Sequence, residues 1–246
     1  EEANTLLEVN ASQNDKDFVA AVNWQTAEQC LADGKSESMP ANYAHNLKNE
    51  TTGIVETTMI DNATILKPEN CEGLVYFLPT PKSPHGVDVD PTGELIVTGG
   101  KLSATMAVHS FSNMVKAIEA QDFNGDSYGI PILKYESILA GEIEKACLGP
   151  LHTEFDGNGF AYTSCFLSSE IIKSSLETFE VVDRVPAYYS IGHLLIPGGD
   201  TMKPYGKYVI SLNKITKDRY LPTGPELAQS AQLYSIDGEK MEMLLD

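Results

Sequence analysis

Neutral imidazole ligates zinc, copper, iron and nickel, and it changes charge near neutral pH. The sequence has 246 residues and five histidines, and three of the five open a similar phrase. Ser83-Pro-His85-Gly-Val-Asp-Val-Asp-Pro-Thr-Gly-Glu runs into Leu95-Ile-Val-Thr, and Leu151-His152-Thr-Glu-Phe-Asp-Gly-Asn-Gly-Phe runs into Ala161-Tyr-Thr-Ser. Ile191-Gly-His193-Leu-Leu-Ile-Pro-Gly-Gly-Asp leads, through Pro204-Tyr-Gly-Lys, into Tyr208-Val-Ile-Ser-Leu. Each histidine precedes a short strand, a Gly/Asp/Pro turn and a second strand. A lone histidine is usually a satisfied core or surface side chain. Three at one place in a repeat instead point at a shared axis, where they could hold a metal. Glu154 and Asp156 after His152, and Asp88 after His85, are polar neighbours able to fix which ring nitrogen faces it. His45 and His109 stand outside the phrase, and His109 reads as packed or exposed.

The elements that must position these rings are short strands. The histidine spacings are 67 and 41 residues. The shorter is the length of one four-stranded propeller blade, and the longer fits a blade carrying an insertion. Strands are predicted at Phe18–Trp24, Gly73–Leu78, Ala107–Phe111, Ile130–Leu133, Glu170–Lys173 and Phe179–Asp183, and a hairpin at Gln232–Leu245 turns at Asp237-Gly238. Thr26–Asp33 reads as a helix stopped by Gly34, and Ser112–Ala120 as an amphipathic helix with Ser112 as its N-cap. Residues 35–70 read as a loop-rich excursion with one strand near Gly53–Ile60. Asp122-Phe-Asn-Gly-Asp-Ser reads as a turn, because it lacks the later glutamate of a calcium loop. Tyr135–Ile143 fits helix or strand. Few long helices and repeated turn clusters make the chain all-β, and the near-repeats favour a propeller over a sandwich.

Seventeen Lys and Arg against 35 Asp and Glu leave a net charge of −18, which repels nucleic acid and suits a solvated acidic surface or a basic partner. No apolar run is long enough to span a membrane as a helix. Cys30, Cys71, Cys147 and Cys165 are widely spaced, with no CxxC pair, and suggest neither a zinc framework nor a disulfide scaffold. Cys165 reads as a small core residue. Asn10, Asn49 and Asn62 open N-x-S/T triplets of the kind that arise by chance. The chain opens Glu1-Glu2 and closes Leu245-Asp246, and reads as an internal piece of a longer protein.

The motifs together carry a specific resemblance over essentially the whole chain. Leu148-Gly-Pro-Leu-His152-Thr-Glu-Phe-Asp-Gly with Ala161-Tyr-Thr-Ser, Ser83-Pro-His85-Gly-Val-Asp-Val-Asp-Pro-Thr-Gly-Glu with Gly100-Lys-Leu, Ile191-Gly-His193-Leu, and Lys214-Ile-Thr-Lys-Asp-Arg-Tyr-Leu-Pro-Thr-Gly-Pro225 resemble nitrous oxide reductase. Glu226-Leu-Ala-Gln-Ser-Ala-Gln-Leu233 and the excursion at 35–70 resemble the family's atypical clade.

The resemblance implies an N-terminal seven-bladed β-propeller, of which residues 1–246 would form part. It also implies a histidine-bound, sulfide-bridged four-copper cluster, CuZ, that reduces N2O to N2 and water in the last step of denitrification. His85, His152 and His193 correspond to three CuZ ligands. Lys214 corresponds to a lysine that donates a proton or polarises substrate and also contributes to a calcium site. Gln229 stands where that site has glutamate, and a second calcium site would use Glu1 and Asp17, with Ser83 where the family has asparagine. A CuA centre in a C-terminal cupredoxin domain, absent from this chain, would take electrons from cytochrome c or a small copper protein. The resemblance further implies a periplasmic homodimer, and residues 1–246 inactive when alone. Two other readings compete: a calcium-dependent hydrolytic propeller, which predicts more axial Asp, Asn and Glu than His, and a non-catalytic binding platform, in which the histidines are incidental.

Overall fold

The computed structural model describes residues 16–38, 44–48, 51–59, 63–213 and 230–246. The chain divides into two compact units. One comprises the described residues of Glu1–Val19, Leu78–Asn124 and Leu133–Asp246, the other those of Ala20–Phe77 and Gly125–Ile132.

The larger unit holds three successive four-stranded antiparallel sheets. In the first, Pro84–Val89, Leu95–Gly100, Met106–Ser110 and Leu139–Ile143 pair in that order. The second pairs Pro150–Phe155, Phe160–Cys165, Glu170–Ser175 and Val181–Pro186. The third pairs Ile191–Leu195, Tyr208–Asn213, Ser230–Ser235 and Glu242–Leu245. Each sheet is a meander, the build of a propeller blade, and the architecture is a β-propeller. The long histidine spacing has its cause in the first blade. Its third and fourth strands are separated by an insertion that contains the helices Phe111–Glu119 and Tyr135–Ile138 and the strands Phe123–Ser127 and Ile130–Leu133. A further sheet has the order Lys16–Val22, Val75–Pro81, Ile130–Leu133, Phe123–Ser127, with Ile132 opposite Phe77 in a parallel pair.

The middle blade is covered on both faces, so its central strands are buried along nearly their whole length. Side chains alternate between the faces with the two-residue period of a strand. Ala161, Cys165 and Ile172 meet Val97, Met106, Val108 and Ile143 of the preceding blade. Tyr162 and Ile171 meet Ile191, Leu194, Val209 and Tyr234 of the following one. Aspartates close the first hairpin of two blades in the same way. Asp90 accepts the N–H groups of Thr92, Glu94 and Leu95, and Asp156 accepts those of Asn158 and Phe160 and the Tyr162 hydroxyl. This side-chain mimicry of a turn is why Asp recurs after each of those strands.

In the smaller unit the helix Trp24–Ala32 is capped by Asn23, whose side chain accepts from Thr26 N, and ends with Gly34 at φ 70°. The described residues of 35–70 are more regular than expected: Ser36–Ser38 pairs Thr64–Leu66, and Ala44–Lys48 pairs Val55–Met59.

The expectation for the cysteines is overturned, because all four pair. Cys30 joins Cys71 across 41 residues and Cys147 joins Cys165 across 18, with Cα atoms 6.1 and 6.0 Å apart. Tertiary folding brings these pairs together without a local motif. Cys165 is a core residue as well, fully buried between two blades. Two local expectations also shift. Helix Phe111–Glu119 is capped by Ser110, which accepts from Asn113 N, whereas Ser112 donates its N–H and hydroxyl to the Glu94 carboxylate. The segment expected to turn at Asp122 is the strand Phe123–Ser127. Tyr135–Ile143 is both things in succession, a one-turn helix and then a strand.

Candidate metal centre

The three histidines lie on the first strand of the three blades, and these strands neighbour one another. Each strand carries the same irregularity at its histidine. From Pro84 to Val87 it advances three residues while the partner strand advances two, from Gly100 to Thr98. The same happens from Pro150 to Thr153 against Cys165 to Thr163, and from Ile191 to Leu194 against Asn213 to Ser211. These are one-residue β-bulges, which re-aim a side chain and raise local twist.

The bulges bring the rings together. The His85 and His152 centroids are 4.9 Å apart with planes at 78°, and those of His152 and His193 are 4.4 Å apart with planes at 19°. His152 is half-buried, and His85 and His193 are exposed. The repeat is not quite regular. His152 and His193 are the second of their two bulge residues, whereas His85 is the first of its pair and Gly86 the second. The reason is a close backbone approach, because a Cβ on Gly86 would stand 1.8 Å from the Leu151 carbonyl oxygen.

A bulge leaves N–H groups outside the ladder, and these find other partners. His152 N donates to Ser164 Oγ at 3.1 Å, and Thr153 N donates to Asp88 Oδ2 of the preceding blade at 2.8 Å. Asp88 therefore holds the middle histidine strand, and Asp156 closes a turn. Glu154 Oε2 is buried without a hydrogen-bond partner, and a Cβ on Gly199 would come 1.9 Å from it. Burial, then the charge of Asp200 and finally that of Asp88, push the Glu154 carboxyl up to about 7. Burial, then Asp200, push Asp88 up to about 6, against the opposing hydrogen bond from Thr153. Asp200 and Ser164 read from the sequence as turn and strand residues, and only the blade-to-blade packing gives them a role.

His109 is packed as expected, buried with its ring 3.3 Å from Thr98 Oγ1 and edge-on to Tyr135. Asp17 accepts the N–H of Ser83 at 2.7 Å. Glu1, Lys214 and Gln229 lie outside the described residues, as do Asn10, Asn49 and Asn62. The strands next to the Lys214–Gln229 segment end at Asn213 and Ser230, which are Cα partners.

Among the described residues, no group of three or more His, Cys, Asp or Glu side chains is set to hold one ion. The three imidazoles lie instead in a row along adjoining strands, and imidazole is a ligand type that suits zinc, copper, iron and nickel.

A family model described as "Nitrous oxide reductase propeller repeat" matches residues 184–246. The nitrous-oxide reductase of Ralstonia nicotianae is 31% identical over 208 residues, which are 80% of this chain and 30% of that protein. That of Stutzerimonas stutzeri is 31% identical over 180 residues, 69% of this chain and 26% of that protein. The chain thus spans less than a third of the length of these relatives. Among solved structures, the Myceliophteria thermophila Cps50 (Swd1) β-propeller domain has a TM-score of 0.43 at 8% identity, covering 68% of this chain and 38% of that one. The long histidine phrases, the bladed sheets and these sequence matches agree, and the chain belongs to the nitrous-oxide reductase family as a stretch of its propeller.

Proposed function

We propose that the full-length protein is a nitrous-oxide reductase and that His85, His152 and His193 hold part of its tetranuclear copper–sulfide centre. The observation that carries this reading is the row of three imidazoles, with centroids 4.9 and 4.4 Å apart, on three neighbouring strands. Imidazole ligation suits copper, and the nearby Asp88 carboxylate is engaged by the backbone N–H of Thr153. When bound, the cluster would supply two electrons together, avoiding a costly one-electron route with an inert oxidant. Reduction of N2O to N2 and water also takes two protons. Lys214 is assigned the role of donating one or of polarising the substrate.

The remaining assignments rest on the family. Residues 1–246 would be part of an N-terminal propeller whose remaining copper ligands, and a cupredoxin CuA domain, lie elsewhere in the full-length protein. Cytochrome c or a small copper protein would be the donor, and a homodimer the working form. Calcium would be held through oxygen donors by Glu1 and Asp17 at one site, and by Gln229 near Lys214 at the other. Two buried disulfides support a periplasmic location, since such bonds persist in oxidising compartments.

The test is anaerobic assay of the full-length protein with a reduced viologen dye, following N2 by gas chromatography together with copper and sulfide content. N2 formation matched to N2O loss, in protein loaded with copper and sulfide, is expected. Loaded protein that leaves N2O untouched would contradict the proposal.

A further inference from the structure

We propose that Ser164 is the positioning residue that sets His152 against His193, an inference that rests on the reading of these histidines as copper ligands. Ser164 is fully buried on the second strand of the middle blade, opposite the bulge that carries His152. Its Oγ accepts the His152 N–H at 3.1 Å and lies 2.6 Å from the carbonyl oxygen of Gly192, the residue before His193. A hydroxyl has one proton to give. The alternative acceptor, the His152 carbonyl oxygen, is 3.4 Å away, so the proton goes to Gly192.

One hydroxyl therefore spans the two histidine bulges. It gives the extra N–H of one a partner and holds the backbone of the other. The stacked rings, 4.4 Å apart, lie across this bridge. By register the equivalent residues in the first and third blades are Gly99 and Leu212, neither of which has a hydroxyl. A Cβ on Gly99 would lie 3.0 Å from the Pro150 carbonyl oxygen, so at that junction the backbones approach directly. The His85 strand is instead joined to the His152 strand by Asp88. The serine bridge thus belongs to the His152–His193 junction alone among these three blades.

The test compares Ser164→Ala with Ser174→Ala in the full-length protein. Ser174 lies on the neighbouring strand of the same sheet, is equally buried, and its Oγ has no hydrogen-bond partner. Ser164→Cys, similar in size and a weak donor, is the conservative variant. Hydrogen exchange of the metal-free protein is followed at His152 and across residues 191–195. Copper content and visible absorption are measured after loading. Ser164→Ala is expected to exchange about tenfold faster at both places, to retain less than about half the wild-type copper, and to shift the absorption. Ser164→Cys should fall between, and Ser174→Ala should match wild type. Wild-type copper content and absorption in Ser164→Ala overturn the proposal, even if exchange accelerates. Equal losses in Ser174→Ala overturn it too, since burial alone would then explain them. If the wild-type histidines bind no copper, the copper reading fails separately. Exchange then decides the bridge: acceleration at both places supports it, and unchanged exchange overturns it.

Discussion

His152 and His193 stack with ring centroids 4.4 Å apart and planes 19° apart, although 41 residues separate them in the chain. The stack is produced by two matching bulges on the first strands of adjacent blades. Anything that disturbs either bulge should therefore register at the proposed copper site before it registers in the core.

Gly86→Ala is the sharpest steric probe of this relationship. The new Cβ would meet the Leu151 carbonyl oxygen at 1.8 Å and Asp88 Oδ2 at 2.8 Å, so the strands of His85 and His152 must part. A loss of about 2 kcal/mol or more is expected in denaturant titration, together with reduced copper loading. Wild-type stability would show that the strands have slack which the close contact does not suggest.

The Cys147–Cys165 disulfide closes the hairpin that contains His152, and Cys165 is the Cα partner of Pro150 at the start of the bulge. Replacing both cysteines by alanine should cost about 3 kcal/mol, from the released loop entropy. Thiol titration of the unreduced, denatured chain should find no free thiol from these four cysteines. Reactive thiols, or a melting temperature unmoved by the double replacement, would count against the pairing.

The carboxyls beside the histidines make stability depend on pH in an unusual direction. Glu154 and Asp88 are raised to about 7 and about 6 from ordinary values of 4.5 and 3.8. In this range the folded state binds more protons than the unfolded state, so stability falls as pH rises. The contribution is complete below the ordinary values and is lost by about pH 7. Allowing for partial solvent screening, it is about 1 kcal/mol for each group. Urea titrations of metal-free protein between pH 5 and 8 should show this decline, and Glu154→Gln should flatten it. A rise in stability over that range would reverse the sign of the argument.

Much of this was legible in the sequence for a simple reason. Apolar alternation and Asp/Gly turns are local, and so are the phrases around His85, His152 and His193. The blade with an insertion could be inferred because chain length alone separates 67 from 41 residues. What stayed hidden depends on packing between distant segments. The cysteine pairs and the Ser164 bridge are examples, and so is the one-residue offset of His85, which comes from the fit of Gly86 against Leu151. Ser110 and Ser112 were equally good caps by type. The choice came from Glu94, which engages Ser112 and leaves Ser110 to accept from Asn113.

For Lys214 the family likeness predicts chemistry more than structure. Lys214→Ala should lower N2O turnover at least about tenfold while copper content stays near wild type, as loss of a general acid does. Unchanged turnover at full copper loading would make the lysine structural.

The central claim is that the three converging histidines hold copper, and replacing them singly in the full-length protein tests it most directly. His85→Ala, His152→Ala and His193→Ala should each lose cluster copper and its visible absorption, while the CuA signal persists as an internal standard. Any of the three that keeps normal cluster copper and absorption would remove that histidine from the site, and such a result at His152, the middle of the row, would contradict the account as a whole.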